Sequence, residues 1–159
     1  MTTILTDSHL MYRGVVKNDL HDEVGARLRR TGQRYTSKRR ELVDLLRGSS
    51  QPLSIPDILG SSRRLAQSSV YRNLAVLEHA HVARRVITGE DFARFELAED
   101  LTEHHHHLVC SSCGTVEDVT VSPRLEQSME RALDGVATET GFTTVSHRFD
   151  LIGTCRNCA

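Results

Sequence analysis

Four cysteines stand as two Cys-x2-Cys pairs, Cys110 with Cys113 and Cys155 with Cys158, all in the last third of the 159-residue chain. Four thiolates suit a closed tetrahedral zinc site with no coordination position left for a substrate. The pairs enclose residues 114–154, so a shared ion would clip the beginning of one unit to its end and contribute to its folding. Two disulfides, or a switch between zinc-bound and oxidised forms, would use the same residues. Cysteines confined to one region argue against a general disulfide scaffold, and in a reducing compartment such pairs are more often metal ligands.

Immediately before Cys110 stand four consecutive histidines, His104 to His107. Side chains alternate along an extended strand, so His104 and His106 face one way and His105 and His107 the other. One strand can then serve two metal sites. Glu126 and His147 are candidates to complete the first pair as a mixed nitrogen and oxygen shell. Each has a plainer reading: Glu126 as a negative charge near a helix N-terminus, His147 as a buried neutral imidazole. For the second pair the available acids are Glu96, Glu99, Asp100 and Glu103, with Glu96 and Asp100 favoured. Such shells suit zinc, iron, nickel, cobalt or manganese.

These ligands need a scaffold. Leu20, Val24 and Leu28 recur every four residues from Asp19 and predict a first helix that stops at Gly32. Thr36 can cap a second helix with Leu42, Leu45 and Leu46 inward, ended by Gly48. Ser54 and Asp57 form a capping-box pattern for a third, and Ser68 or Ser69 can cap a fourth that buries Val70, Leu74 and Leu77. Val82–Thr88 and Phe92–Leu97 read as strands joined by a Gly89-Glu90-Asp91 turn. Helices followed by a hairpin make a winged helix-turn-helix whose fourth helix would enter the major groove. The acidic residues 98–103 read as a hinge. Beyond it, the histidine run leads into a strand, Thr115–Thr120 into its hairpin partner and Ser122-Pro123 into a helix. Thr143–Ile152 alternates as a last strand with Val145, His147, Phe149 and Leu151 on one side. The fold class is therefore α+β: an extension (1–18), a winged-helix domain (19–97), the hinge (98–103) and a small α/β domain (104–159).

The formal charge is −1, an average that hides its distribution. Basic residues gather between Arg27 and Arg40 and continue at Arg72, Arg84, Arg85 and Arg94, whereas Glu96–Glu103 holds no Lys or Arg. The helical half thus has the local positive potential that phosphate binding requires. At 38% hydrophobic and 26% charged residues the chain has the makeup of a folded globular protein. No apolar stretch has membrane-spanning length and the N-terminus lacks a secretion-signal pattern, which predicts a cytoplasmic protein without membrane contact.

Taken together, several segments resemble the ferric uptake regulator family. They are Arg34-Tyr35-Thr36-Ser37-Lys38-Arg39, Ser69-Val70-Tyr71-Arg72, the run from His104 through Cys113, and the ending from His147 through Cys158. The resemblance covers Asp19 to Cys158 and implies an obligate homodimer that represses at palindromic operator DNA when metal is bound. It implies structural zinc at Cys110, Cys113, Cys155 and Cys158, a second site at His104, His106, Glu126 and His147, and an inter-domain sensing site with His105, His107 and Glu96. It further implies that Tyr71 and Arg72 contact DNA, with Ser69 of the same motif a further candidate; packing of Tyr71 against the wing is the simpler role. Arg34, Lys38, Arg39 and Arg40 are candidates for the phosphate backbone, with Arg84, Arg85 and Arg94 reaching it from the wing.

The chain departs from the family pattern at the inter-domain site. Two additional residues separate Glu96 from His105 relative to iron sensors, Asp100 lies where zinc sensors can place a cysteine, and Ser50-Gln51-Pro52-Leu53 contains no histidine. His79 or His81 could replace the missing ligand. Zinc is slightly favoured over Fe2+, Ni2+ or Mn2+ as the regulatory metal, and peroxide sensing stays open. A metalloenzyme is the main rival class, since histidines and acids can activate water on zinc. It would show turnover, whereas a zinc-storage scaffold would bind metal without gaining affinity for DNA.

Overall fold

A computed structural model describes residues 17–87, 93–144 and 146–159. Most of the expected extension, Thr88 at the end of the first expected strand, the 89–91 turn, and residues Phe92 and Val145 lie outside the described residues.

The first helix, α1 (Lys17–Arg30), packs Leu20, Val24 and Leu28 into the core at 2% exposure or less. It ends before Gly32, whose φ of 69° is left-handed and suits glycine. In α2 (Ser37–Gly48) the Thr36 hydroxyl accepts from the Arg39 N–H, and Leu42, Val43 and Leu46 are buried. A two-residue strand, β1 (Leu53–Ser54), leads into α3 (Ile55–Ser61), where Ser54 and Asp57 form the reciprocal capping box. Helix α4 spans Gln67–His79. Its N-cap is Ala66, which makes no side-chain cap bond, so neither Ser68 nor Ser69 caps it as the sequence suggested. Burial of Leu65, Val70, Leu74 and Leu77 holds this helix start instead.

Strands β2 (Ala83–Ile87) and β3 (Ala93–Leu97) pair antiparallel, and β1 adds to the far edge of β3 through Leu53 opposite Phe95. A pair of residues is too short to show a period, which is why β1 escapes sequence reasoning. The acidic segment after β3 is not free chain. Glu99–Leu101 forms a 3-10 turn, the Ala98 N–H donates to Val82 O, and Leu101 is buried with the helices.

The second sheet runs β5-β4-β6, with β4 (His106–Cys110) antiparallel to β5 (Val116–Val119) and parallel to β6 (Asp150–Gly153). Between them α5 (Pro123–Thr140) starts at Ser122, whose hydroxyl accepts from Leu125 N–H, and ends at left-handed Gly141. The last strand is shorter than Thr143–Ile152. His147 precedes it, and Phe149 and Leu151 are 45% and 55% exposed, so the anticipated common apolar side is not built. Strand pairing to β4 begins only where Asp150 meets His107.

The two sheets differ in how they are held. The main apolar core draws on residues from Leu20 to Leu101, whereas the second unit buries Val109, Cys110, Val116 and Ala137 among the described residues. Leu125, Leu133, Val136, Phe142, Leu151 and Ile152 of that unit are exposed. Such a unit lacks the buried apolar area to stabilise itself and leaves an apolar face uncovered. No described helix is long and apolar enough to cross a membrane.

Candidate metal centres and nucleic-acid face

The hairpin between β4 and β5 carries Cys110 and Cys113, and the chain after β6 returns Cys155 and Cys158 to the same end of the sheet. All four sulfurs lie within 4.8 Å of one another as free cysteines. Cys113 Sγ and Cys155 Sγ are 3.7 Å apart, near the edge of about 3.8 Å that a tetrahedron with Zn–S bonds of ~2.3 Å requires. The Cys155 N–H donates to Cys110 Sγ at 3.3 Å. Backbone hydrogen bonds from Cys155 and then Cys113 lower the Cys110 thiol to about 6, favouring the thiolate that ligates metal. This donor set and geometry fit zinc.

His104, His106, Glu126 and His147 form a second group within the same 4.8 Å limit. Glu126 sits in the first turn of α5, where the Ser122 cap fixes the helix start. Its Oε2 lies 2.8 Å from His106 Nε2, and its Oε1 lies 3.1 Å from His104 Nε2 and 2.8 Å from His147 Nε2. That last pair is close without hydrogen-bond alignment, leaving His147 Nε2 buried and unpartnered; His106 Nδ1 is unpartnered too. Burial alone would raise the Glu126 carboxyl, but its hydrogen bond to His106 and the neighbouring imidazole charges lower it overall. Three imidazole nitrogens converging on one carboxylate, with a buried orphan among them, is an arrangement that a divalent cation satisfies.

A third group brings Glu96 of β3 to His105, His107 and Asp118 of the second unit. Glu96 Oε2 is 3.2 Å from both His105 Nε2 and His107 Nε2, and Asp118 Oδ1 is 3.8 Å from the latter. The other ring nitrogens are occupied: His105 Nδ1 meets Glu103 O at 2.8 Å and His107 Nδ1 meets Asp150 Oδ1 at 3.0 Å. Such outer partners orient a ligating imidazole and leave its Nε2 for the centre. Burial would raise the Glu96 carboxyl, yet hydrogen bonds from His105 and His107 and the Arg84 charge hold it well below the usual carboxylate range. The hydrogen bond to Glu96 in turn lifts His105 to about 9 against burial. A cleft of about 320 Å3 opens beside the group, with Glu96, His105 and Asp118 on one wall and Leu46, Arg47 and Gln51 among its other lining residues.

Asp100, favoured from the sequence as a ligand here, does not join this group. Its carboxylate is taken by Arg27, and it lies in the 3-10 turn of residues Glu99–Leu101. Asp118 takes part instead, because it lies opposite His107 in the β4–β5 register. The hairpin reading already contained the signal: Asp118 stands two residues from the buried Val116 and therefore shares its face. His79 and His81 enter none of the three groups; His81 O instead accepts from Arg27 Nη1.

The proposed DNA residues divide into two sets. Arg34, Lys38 and Arg40 around the start of α2, with Tyr71 and Arg72 on α4, are exposed, Tyr71 by 53%. Arg40 lies over the Tyr35 ring at 4.8 Å. Arg39 is partly buried and ties the two helices together: its Nε donates to Asn73 Oδ1 at 3.1 Å. Burial and then the nearby Arg72 charge lower Arg39. Ser69 is 5% exposed and its hydroxyl accepts from Asn73 Nδ2 at 3.1 Å, which withdraws it from the surface that the sequence assigned it to. Arg84, expected on the wing surface, instead pairs with Glu96 and Glu99 and is 17% exposed. Arg85 remains half exposed while contacting Glu78 at 3.5 Å and the Phe95 ring at 5.3 Å. Arg94 donates to Gly114 O and Pro52 O, a structural role joining the two sheets.

The profile of the ferric uptake regulator family matches residues 30–152. A ferric uptake regulation protein of Bordetella parapertussis is 32% identical over 136 residues, covering 82% of this chain and 93% of its own length. A peroxide operon regulator of Bacillus subtilis is 28% identical over 136 residues, covering 83% of this chain and 88% of its own. Among solved structures, the Helicobacter pylori ferric uptake regulator, described as having three functional metal binding sites, superposes with a TM-score of 0.71. It is 26% identical and the match covers 93% of this chain and 97% of that one.

Proposed function

The chain belongs to the ferric uptake regulator family, and from that membership we propose a repressor whose DNA affinity is set by a divalent cation between its two units. Family members are regulators rather than enzymes and bind DNA as dimers. The observation that carries the reading is the placement of Glu96, a residue of the wing sheet, among His105, His107 and Asp118 of the second sheet. A cation bound there would supply a common positive centre that holds wing and sheet in one orientation. His105 and His107 present Nε2, Glu96 and Asp118 present oxygen, and Glu103 O and Asp150 hold the rings in place.

Cys110, Cys113, Cys155 and Cys158 are proposed as a structural zinc site that stabilises the small second unit. His104, His106, Glu126 and His147 are proposed as a further metal site beside it. Four compact nitrogen and oxygen ligands favour zinc slightly over Fe2+, Ni2+ or Mn2+ as the regulatory ion, because zinc accepts four-coordinate tetrahedral shells readily. The exposed apolar side chains of α5 and β6 support a homodimer through that face. Two copies then present Tyr71 and Arg72 of each α4 to adjacent major-groove segments of a palindromic operator. Arg34, Lys38, Arg40 and the wing's Arg85 lie toward the backbone, with Arg39 bracing them from α2 through Asn73.

The test is DNA binding at fixed ionic strength by protein retaining its tightly bound zinc, titrated with buffered free Zn2+, Fe2+, Mn2+ and Ni2+. A selective, reversible rise in affinity for a family-type palindrome identifies the co-repressor. No rise with any ion, for a folded dimer and after random-site selection of DNA, removes this reading. Similarity to the Bacillus subtilis peroxide operon regulator favours one alternative, in which the Fe2+-loaded protein loses operator affinity on exposure to hydrogen peroxide.

A further inference from the structure

The two nitrogen and oxygen groups are joined by a continuous chain of polar contacts through two residues, Arg84 and Glu99, that belong to neither. Arg84 Nε bonds Glu96 Oε1, and its Nη1 lies 3.4 Å from Glu99 Oε2. The second Glu99 oxygen bonds His104 Nδ1, while His104 Nε2 faces Glu126 in the other group at 3.1 Å. The side chains of Arg84, Glu96 and Glu99 are 17%, 9% and 15% exposed, so solvent screens their mutual attraction little.

We infer that Arg84 and Glu99 act as positioning residues that couple the two groups, so that filling one weakens the other. This rests on the reading of both groups as metal sites. One guanidinium is shared by two carboxylates. When the Glu96 carboxylate gives its charge to a cation, Arg84 loses its nearer partner and leans on Glu99. Glu99 is the carboxylate that holds the His104 Nδ1 proton and thereby makes Nε2 a stronger donor. Drawn toward Arg84, it supports His104 less. The effect runs both ways, because a coupling free energy between binding sites is reciprocal. In a sensor the consequence is a graded response over a wider span of metal concentration than two independent sites would provide.

Cobalt(II) binding to protein retaining its four-cysteine zinc tests the inference, read by visible absorption and by competition with a chromophoric chelator. His106→Ala with His147→Ala leaves the inter-domain group as the one intact site, and His107→Ala with Asp118→Ala leaves the other, which yields the two isolated affinities in each background compared. For the unsubstituted chain, the product of the two stepwise binding constants is expected to fall short of the product of the isolated constants by about 5- to 10-fold. In Glu99→Gln, which keeps an acceptor for His104 but loses the charge that draws Arg84, the shortfall contracts to about 2-fold or less. Arg84→Met does the same by removing the shared cation. Simple repulsion between two bound dications persists in both variants, so the contraction isolates the relay. A shortfall unchanged in both variants, or absent from the unsubstituted chain, overturns the coupling while leaving the sites standing. Failure of cobalt to bind either group overturns the site reading and the relay with it.

Discussion

Arg27 holds Asp100 through both carboxylate oxygens, with Nη1 to Oδ1 at 3.2 Å and Nη2 to Oδ2 at 2.5 Å, across 73 residues of sequence. The same Nη1 reaches His81 O at 2.6 Å, so one guanidinium of α1 clamps the turn before β2 and the segment after β3. Asp100 is thereby structural. The pair is bidentate, but its acid is 65% exposed, which keeps its contribution small. Asp100→Asn is expected to destabilise the protein by about 0.5–1 kcal/mol in urea unfolding while leaving metal affinity unchanged. A tenfold loss of metal affinity would return Asp100 to the ligand set.

Asp118→Ala is the complementary experiment. Removing a carboxylate from the inter-domain group is expected to weaken its metal by at least ~10-fold, the loss seen even for outer-sphere partners. Retained cysteine-bound zinc and an unchanged unfolding midpoint would show that the effect is local.

Protons should compete with the proposed metal at the same group. His105 rises to about 9 through its hydrogen bond to Glu96, so in the metal-free protein it is charged at neutral pH. A folded value above the unfolded one of ~6.5 means that its stabilising contribution is complete below about 6.5 and is lost as pH rises through 9. Metal-free protein should therefore lose stability across that window, while metal affinity should increase. Calorimetry in buffers of different ionisation enthalpy should record proton release on metal binding at neutral pH; its absence would argue against His105 as a ligand.

Removal of the zinc proposed at the four cysteines should act on one half of the molecule. The second unit buries few apolar side chains, whereas α1 to α4 share an extended core. Structural zinc contributes on the order of 10 kcal/mol in small zinc domains. Chelation, or Cys113→Ser, is expected to dissociate the dimer and abolish the thermal transition of the second unit. Helical circular dichroism of the first unit should persist. Simultaneous collapse of both would mean that the two units fold as one.

The exposed basic residues should separate by what they read. Lys38→Ala is expected to weaken binding to all DNA alike and to reduce the slope of log K against log salt by about one. Arg72→Ala should cost ~1–3 kcal/mol on the operator and relax preference at one base position. Equal loss on specific and non-specific DNA would reassign Arg72 to a phosphate. Ser69→Ala should alter stability rather than salt dependence, since its hydroxyl is spent on Asn73.

Much of this protein is legible in its sequence because the deciding interactions are local. Helix periodicity at Leu20, Val24 and Leu28, the Ser54–Asp57 box and the Ser122 cap need only neighbours a turn away. Strand alternation separates His104 and His106 from His105 and His107, and the paired cysteines announce their own chemistry. Other assignments needed contacts between distant segments. Asp118 joins Glu96 through strand register, Asp100 is withdrawn by Arg27, and β1 exists only because β3 offers an open edge. Arg84 looks like a surface wing residue until burial places it between Glu96 and Glu99. Residue type and spacing therefore determined which groups could ligate metal or meet phosphate. Tertiary packing decided which carboxylate reaches which imidazole, because a charged side chain in a partly buried setting goes to the partner that best offsets its lost hydration.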